Sequence, residues 1–289
     1  MITVHEDPIL FRQVLTYTQA GTGFSGRLIE KDYFCSVLLE HLAGEEAGLV
    51  FKGGTCLSKV YAQFYRLSED LDFVIPISIN ARRNERSKLA KQVKETISDL
   101  IARTPIFRII QPLTGANNST QYVAILGYRS LLGNREESVK VEVGLREPLL
   151  TPVFKGSLNT TLLDPISGRP MVASLPFPCI SKKEAFAEKF RAALSRREVA
   201  IRDFFDLDYG VRFLDLRPEE DELVELVRRK LAIPGNEPVD VSAPRLSDLR
   251  LQLTSHLEPV LRARDFTEFD LDRAFEIVST MASRVYKTV

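Results

Sequence analysis

At 289 residues, 44% of them hydrophobic, the chain can bury a sizeable core, as one large domain or two of ordinary size. Lys plus Arg equals Asp plus Glu at 39 each, so no global charge draws it toward nucleic acid and any polyanion must be held by a local patch. Cys35, Cys56 and Cys179 are scattered with no CxxC, the N-terminal MITVHEDPILFRQ carries no secretory apolar region, and no uncharged run approaches the roughly 18 residues of a membrane span. Those features argue against a cysteine zinc site and lead us to expect a cytoplasmic protein with no membrane association.

In chain order, residues 7–44 read as helix. Within it EKDYFCSVLLEHL sets Tyr33, Phe34, Val37, Leu38 and Leu42 at three-to-four spacing, an apolar stripe. LVFKGG follows as a short strand stopped by Gly53-Gly54, and Thr55 is placed to cap a helix running to about Phe64. LDFVIPI, residues 71–77, reads as a strand that lies near an edge or ends at Pro76. Residues 81–103 form a charged amphipathic helix with Arg82, Arg83, Arg86, Lys88, Lys91 and Lys94.

Three strand-like runs come next, FRIIQPL, QYVAILGY and SVKVEVGL, separated by GANNST and LLGNRE, and their order predicts an antiparallel meander added to the sheet. Residues 148–180 read as a connection with one short strand near Met171–Ala173. From Ser181 the pattern is helical over 181–197, 200–214, 218–231, 245–264 and 268–287, interrupted by IPGNEPVDVSAP. The fold class expected is therefore α+β: a mixed-sheet domain over 1–175, then a mainly α-helical domain over 176–289.

Asp70 and Asp72 carry the first chemical signal. In a strand they project from one face while Leu71 turns to the core. Two carboxylates on one face raise each other's pKa unless a cation lies between them, and magnesium with bound phosphate is a common solution. Taken alone, such a pair more often marks only a solvated strand start. Glu142 alternates with Val141 and Val143 in the last meander strand, and would sit beside the Asp pair if the two strands are neighbours. Gly53-Gly54-Thr55 lies between a strand and a helix, where glycines let backbone approach a polyanion. Neither the Walker A spacing nor GxGxxG is present.

Together these elements resemble the DNA-polymerase-β-like nucleotidyltransferase superfamily. FKGGTCLSKVY and RLSEDLDF are more similar still to the AbiEii/AbiGii-type toxin nucleotidyltransferases, which include the MenT toxins and carry GGT-x-L-x-K followed by R-[FL]-S-x-D-[IL]-D. Glu30-Lys31-Asp32-Tyr33 resembles an N-terminal element of that group, and EAFAEKFRAALSRREVAIRDFFDLDYG its C-terminal block, so the likeness spans about residues 28–210.

The resemblance implies a polymerase-β-like core whose active-site cleft is completed by the helical domain. It implies that Gly53, Gly54, Thr55 and Ser68 hold the phosphates of a nucleoside triphosphate, and that Asp70 and Asp72 bind Mg2+ (or Mn2+) with Glu142 as a third carboxylate. Lys189 would contact the triphosphate, with Asp203 orienting it or assisting the nucleophile. Asp206, Asp208 and Arg202 are weaker candidates, Cys56 is packing, and Lys31 and Asp32 brace the turn or reach the nucleotide. The implied reaction is nucleotidyl transfer, releasing pyrophosphate, to the 3′ end of tRNA by a toxin with a cognate antitoxin. A basic surface over Arg82–Lys94, with Arg196-Arg197 and Arg228-Arg229-Lys230, is available to follow an RNA backbone. Transfer to a small molecule or a protein, and an inert nucleotide-binding module, are the competing readings.

Overall fold

A computed structural model describes residues 2–43 and 48–286. The chain divides into two compact units, Met1–Ile180 and Ser181–Val289.

The first unit opens with α1 (Pro8–Thr22) and α2 (Gly26–Ala43) instead of one continuous helix. Asp7 caps α1, accepting from the amides of Ile9 and Leu10, and Pro8 suits the first turn. Gly23 ends the helix in the left-handed conformation (φ 78°) with its amide bonded to the Gln19 carbonyl, the geometry glycine adopts without a Cβ penalty. The expected end at residue 44 lies outside the described residues. In α2 burial reaches beyond the apolar stripe: Glu30, Lys31, Asp32 and Ser36 are buried with Tyr33, Phe34, Val37 and Leu38.

A seven-stranded mixed sheet follows, built from β1 (Val50–Lys52), β2 (Asp70–Val74), β3 (Phe107–Ala116), β4 (Gln121–Arg129), β5 (Glu136–Gly144), β6 (Phe154–Leu158) and β7 (Leu175–Cys179), in the order β3-β4-β5-β2-β1-β7-β6. The meander β3-β4-β5 is antiparallel as expected, and β5 then pairs parallel with β2. β2 is thus internal, between β5 and β1, so the edge alternative for LDFVIPI fails. The strand ends at Val74, before Pro76. The hairpin β6-β7 replaces the expected connection, and Met171–Ala173 is not strand. LPFPC does not read as a strand because proline seldom enters a ladder; here β1 pairs with β7 only at Phe51–Cys179, and Pro176 and Pro178 are exposed.

Phe51, Phe73 and Phe177, from β1, β2 and β7, form one buried cluster, with ring centroids 5.4 to 5.9 Å apart. Phe34 of α2 packs on Tyr128 of β4 at 4.3 Å and on Phe107 of β3 at 5.8 Å. Between β1 and β2 the chain makes α3 (Gly53–Cys56) and a π-helical turn, Leu57–Tyr61; α4 (Arg83–Arg103) links β2 to β3. The helix after the glycines therefore begins at Gly53 and stops short of Phe64, whose positive φ (62°), with that of Gln63 (44°), turns the chain back toward β2.

The second unit is helical: α5 (Lys182–Ser195), α6 (Ile201–Phe213), α7 (Asp221–Leu231), α8 (Ala243–Leu251), α9 (Ala263–Glu268) and α10 (Leu271–Tyr286). Its core gathers Phe186, Phe190, Phe204, Leu207, Val227, Val278 and Met281. The helix expected over 245–264 is broken into α8, a π turn and a 3-10 turn around Pro259, which cannot donate an amide. The last helix begins at Leu271, and its expected end at residue 287 lies outside the described residues.

Candidate active site

β2 and β5 run parallel with Asp70 opposite Lys140 and Asp72 opposite Glu142, while Lys52 of β1 lies opposite Asp72 on the other side. Alternate residues of a strand share a face and neighbouring strands lie about 4.8 Å apart, so Asp70, Asp72, Lys140 and Glu142 occupy one patch. Leu71, Phe73, Val141 and Val143 point the opposite way and are buried. The same alternation that makes this sheet stable gathers the acids.

The Gly53-Gly54 turn lies directly against that patch. Gly53 is left-handed (φ 75°), and a Cβ there would overlap the Asp72 carboxylate, with 2.9 Å to both Cβ and Cγ of Asp72. A Cβ on Gly54 would instead run into the buried Arg66 guanidinium, 3.2 Å from its Cζ. The Thr55 hydroxyl donates to the Asp70 carbonyl, tying the turn to β2; its hydroxyl does not cap the helix. Ser68 is half-buried two residues before Asp70.

Charge is in excess on this face. Burial first, then the Glu142 carboxylate, pushes Asp72 up to about 6, against the pull of Lys52 and with a further push from Asp70. Lys140 places its Nζ 3.2 Å from Glu142 Oε2 and 4.0 Å from Asp70 Oδ2. Burial works against its charge, but Glu142 and Asp70 overcome that and hold its pKa above the usual lysine value. Lys140 was visible in sequence only as a neighbour on the polar face of VKVEV; its role as counter-ion depends on the β2-β5 pairing.

The donor set suits magnesium, since it is all hard carboxylate oxygen and its three carboxylates outnumber the two lysines, Lys52 and Lys140, that face them. Among the described residues no group of three or more His, Cys, Asp or Glu side chains is placed to hold a metal ion by itself. Magnesium needs only one or two carboxylates, completing its shell with water and phosphate oxygens, so an open face fits.

The elements behind the site are structural. Lys59 is buried and pairs with Asp32 Oδ1 at 2.6 Å, and it also donates to Ser36 Oγ at 2.8 Å. Asp32 in turn accepts from the amide (3.0 Å) and hydroxyl (2.5 Å) of Thr161. Lys31 reaches Glu69 Oε1 at 3.2 Å, next to Asp70, and Asp32 holds Lys59, contacts of the kind the bracing alternative expects. Glu30 accepts from Ser130 Oγ and the Leu131 amide, pinning the β4-β5 loop. Cys56 is buried, as are Cys35 and Cys179.

In the helical unit Lys189 Nζ lies 2.7 Å from Asp203 Oδ1 and 2.8 Å from Asp206 Oδ2, so α6 clamps it with two carboxylates one helical turn apart. Arg196 approaches the other Asp203 oxygen at 3.3 Å. Asp208 makes a bidentate pair with Arg273 of α10, and Arg202 donates to the His256 carbonyl. Two members of the expected basic surface prove internal. Lys230 is buried between Glu184 (2.8 Å) and Glu188 (3.1 Å), and Arg86 is buried with a bond to the Ile79 carbonyl. Arg82, Arg83, Lys88, Lys91 and Lys94 are exposed.

Residues 37–278 match the family described as nucleotidyl transferase AbiEii toxin, type IV TA system. The fold is similar to JHP933 from Helicobacter pylori, with a TM-score of 0.53 and 17% identity over 91% of this chain and 93% of that one. A candidate nucleotidyltransferase from H. pylori is similar to the same degree, with a TM-score of 0.52 and 17% identity over 91% of this chain and 96% of that one. No curated protein gives a significant sequence match. Among the described residues no helix is long and apolar enough to cross a membrane.

Proposed function

Because the chain belongs to the AbiEii nucleotidyltransferase toxin family of type IV toxin–antitoxin systems, we propose that it transfers a nucleoside monophosphate from a nucleoside triphosphate to the 3′ end of tRNA. Nucleotidyl transfer and a toxin's partnership with an antitoxin follow from the family. The metal, the acceptor and the residue roles are our reading. One observation carries it: Asp70, Asp72 and Glu142 stand in register on adjacent strands, with the left-handed Gly53 pressed against Asp72.

In this reading Asp70 and Asp72 hold Mg2+, with Mn2+ able to replace it and Glu142 as third carboxylate. When bound, the metal lowers the pKa of the attacking hydroxyl and polarises the α-phosphate. Everything else falls to the chain. The side-chain-free backbone at Gly53 and Gly54 admits the triphosphate, and Thr55 holds the turn to β2 while its amide, with Ser68, serves the phosphate oxygens. We assign Lys189 to neutralising charge on the departing pyrophosphate. Asp203 keeps that ammonium in one position, so that little reorganisation is needed as charge develops. The exposed Arg82, Arg83, Lys88, Lys91 and Lys94 supply local positive charge for an RNA backbone on a chain with no net charge. The reaction belongs in the cytoplasm, where triphosphates and tRNA are found.

The test is incorporation of α-labelled nucleoside triphosphates with bulk tRNA, a protein mixture and a metabolite pool offered as separate acceptors. We expect label on tRNA, lost with Asp72→Asn and with Lys189→Met. Equal labelling by wild type and Asp72→Asn would overturn the mechanism. Label confined to protein or metabolites would leave the transfer chemistry standing and overturn the acceptor.

A further inference from the structure

The acid patch carries its own cation, and nothing in the reaction outlined above uses it. Lys140 faces Asp70 across the β2-β5 pairing and shares its strand face with Glu142. Its ammonium contacts Glu142 at 3.2 Å and stands 4.0 Å from Asp70, with its side chain 40% exposed, so it can swing away without breaking a packed core. Lys59 contrasts with it: closer to its carboxylate, 2.6 Å from Asp32 Oδ1, and with a fully buried side chain locked among backbone carbonyls and Ser36. The site thus has a fixed structural lysine, Lys59, behind it and a movable lysine, Lys140, within it, while Lys52 of β1 faces Asp72 from the other side.

We propose that Lys140 is a positioning residue that acts as the internal counter-ion of the metal site, bridging Asp70 and Glu142 when no divalent cation is bound and competing with that cation for the same carboxylates. The inference rests on the reading of Asp70, Asp72 and Glu142 as metal ligands. Its physical basis is simple. Three carboxylates on one face repel one another, and a nearby ammonium offsets that repulsion in the metal-free protein. The same positive charge repels an incoming divalent cation and occupies oxygens the cation needs. Lys140 thereby sets the divalent concentration at which the site fills. Once displaced, its flexible stem can turn the ammonium toward a phosphate oxygen, which couples metal entry to triphosphate binding.

The test is Mn2+ binding to the full chain without nucleotide, followed by electron paramagnetic resonance of the free ion, for wild type, Lys140→Met, Lys140→Gln, Lys140→Arg and Asp72→Asn. Removing one unit charge about 4 Å from the ligands at a partly solvated site is expected to tighten Mn2+ binding by on the order of tenfold. Lys140→Gln should do the same, and Lys140→Arg, which keeps the charge, should stay near wild type. Melting in chelator and in Mn2+ supplies an independent readout: Lys140→Met should melt lower than wild type in chelator yet gain more from Mn2+. Unchanged or weaker Mn2+ binding by both neutral variants, with binding still abolished by Asp72→Asn, would overturn the role of Lys140 and leave the metal site intact. Wild-type binding by Asp72→Asn would overturn the metal site itself, and this inference with it.

Discussion

Gly53→Ala is the sharpest perturbation of the candidate site, because a single methyl group meets two separate obstacles. The backbone at φ 75° is left-handed, where an L-residue with a Cβ is less stable by about 1–2 kcal/mol. The new methyl would also overlap an oxygen of Asp72 and stand 2.9 Å from two of its carbons, closer than ordinary van der Waals contact. Relief requires the carboxylate or the turn to move by on the order of 1 Å, and a misplacement of that size in a positioned active site lowers rates about 100-fold. We therefore expect a modest fall in melting temperature and a loss of labelled-nucleotide transfer of about two orders of magnitude in kcat, measured at saturating metal and triphosphate. Gly53→Asn separates the two causes. Asparagine tolerates the left-handed region, so stability should partly return, but its Cβ still meets Asp72 and the rate should not. A Gly53→Ala protein within threefold of the wild-type rate would refute the packing of this turn on Asp72 as the reason for the glycine.

Two further outcomes follow from the same geometry. Asp72 has a folded pKa of about 6 against an ordinary 3.8, so between those values the native state binds more protons than the unfolded one, and stability falls as pH rises through that window. Asp72→Asn should therefore abolish transfer yet stabilise the metal-free protein by about 1–2 kcal/mol at pH 7, allowing for partial solvation, with the gain shrinking to nothing near pH 4. Denaturant titrations in chelator would show it, and a gain independent of pH would contradict it. Asp32→Ala leaves the buried Lys59 ammonium without its carboxylate and should destabilise the first unit by about 3–5 kcal/mol; a loss below about 1 kcal/mol in urea unfolding would show that this pair is not what anchors the turn.

Much of this is legible in the sequence. The meander came from alternation in VKVEVGL and QYVAILGY, and the acid pair from a two-residue period that holds wherever a strand forms. In the family element GGT-x-L-x-K, roles are legible in sequence for Gly53, Gly54 and Thr55 but not for its lysine. That its lysine is Lys59, buried against Asp32 of the EKD element, could not be seen because the two residues are 27 apart and only the fold of α2 over the sheet brings them together. Lys230 shows the opposite failure. In sequence it extends a run of surface-like basic residues, yet two glutamates of α5 draw it inside. The hairpin β6-β7 was hidden by its prolines, whose missing amides matter only where a neighbouring strand needs them.

The sequence by itself determined the local chemistry: which side chains alternate on a strand, where glycine must take the chain, and the family to which the motifs belong. Only the tertiary structure decided which strands are neighbours. The parallel pairing of β2 with β5 sets Glu142 beside Asp72 and Lys140 beside Asp70, and no local rule predicts it, because register between distant strands is chosen by the burial of their opposite faces.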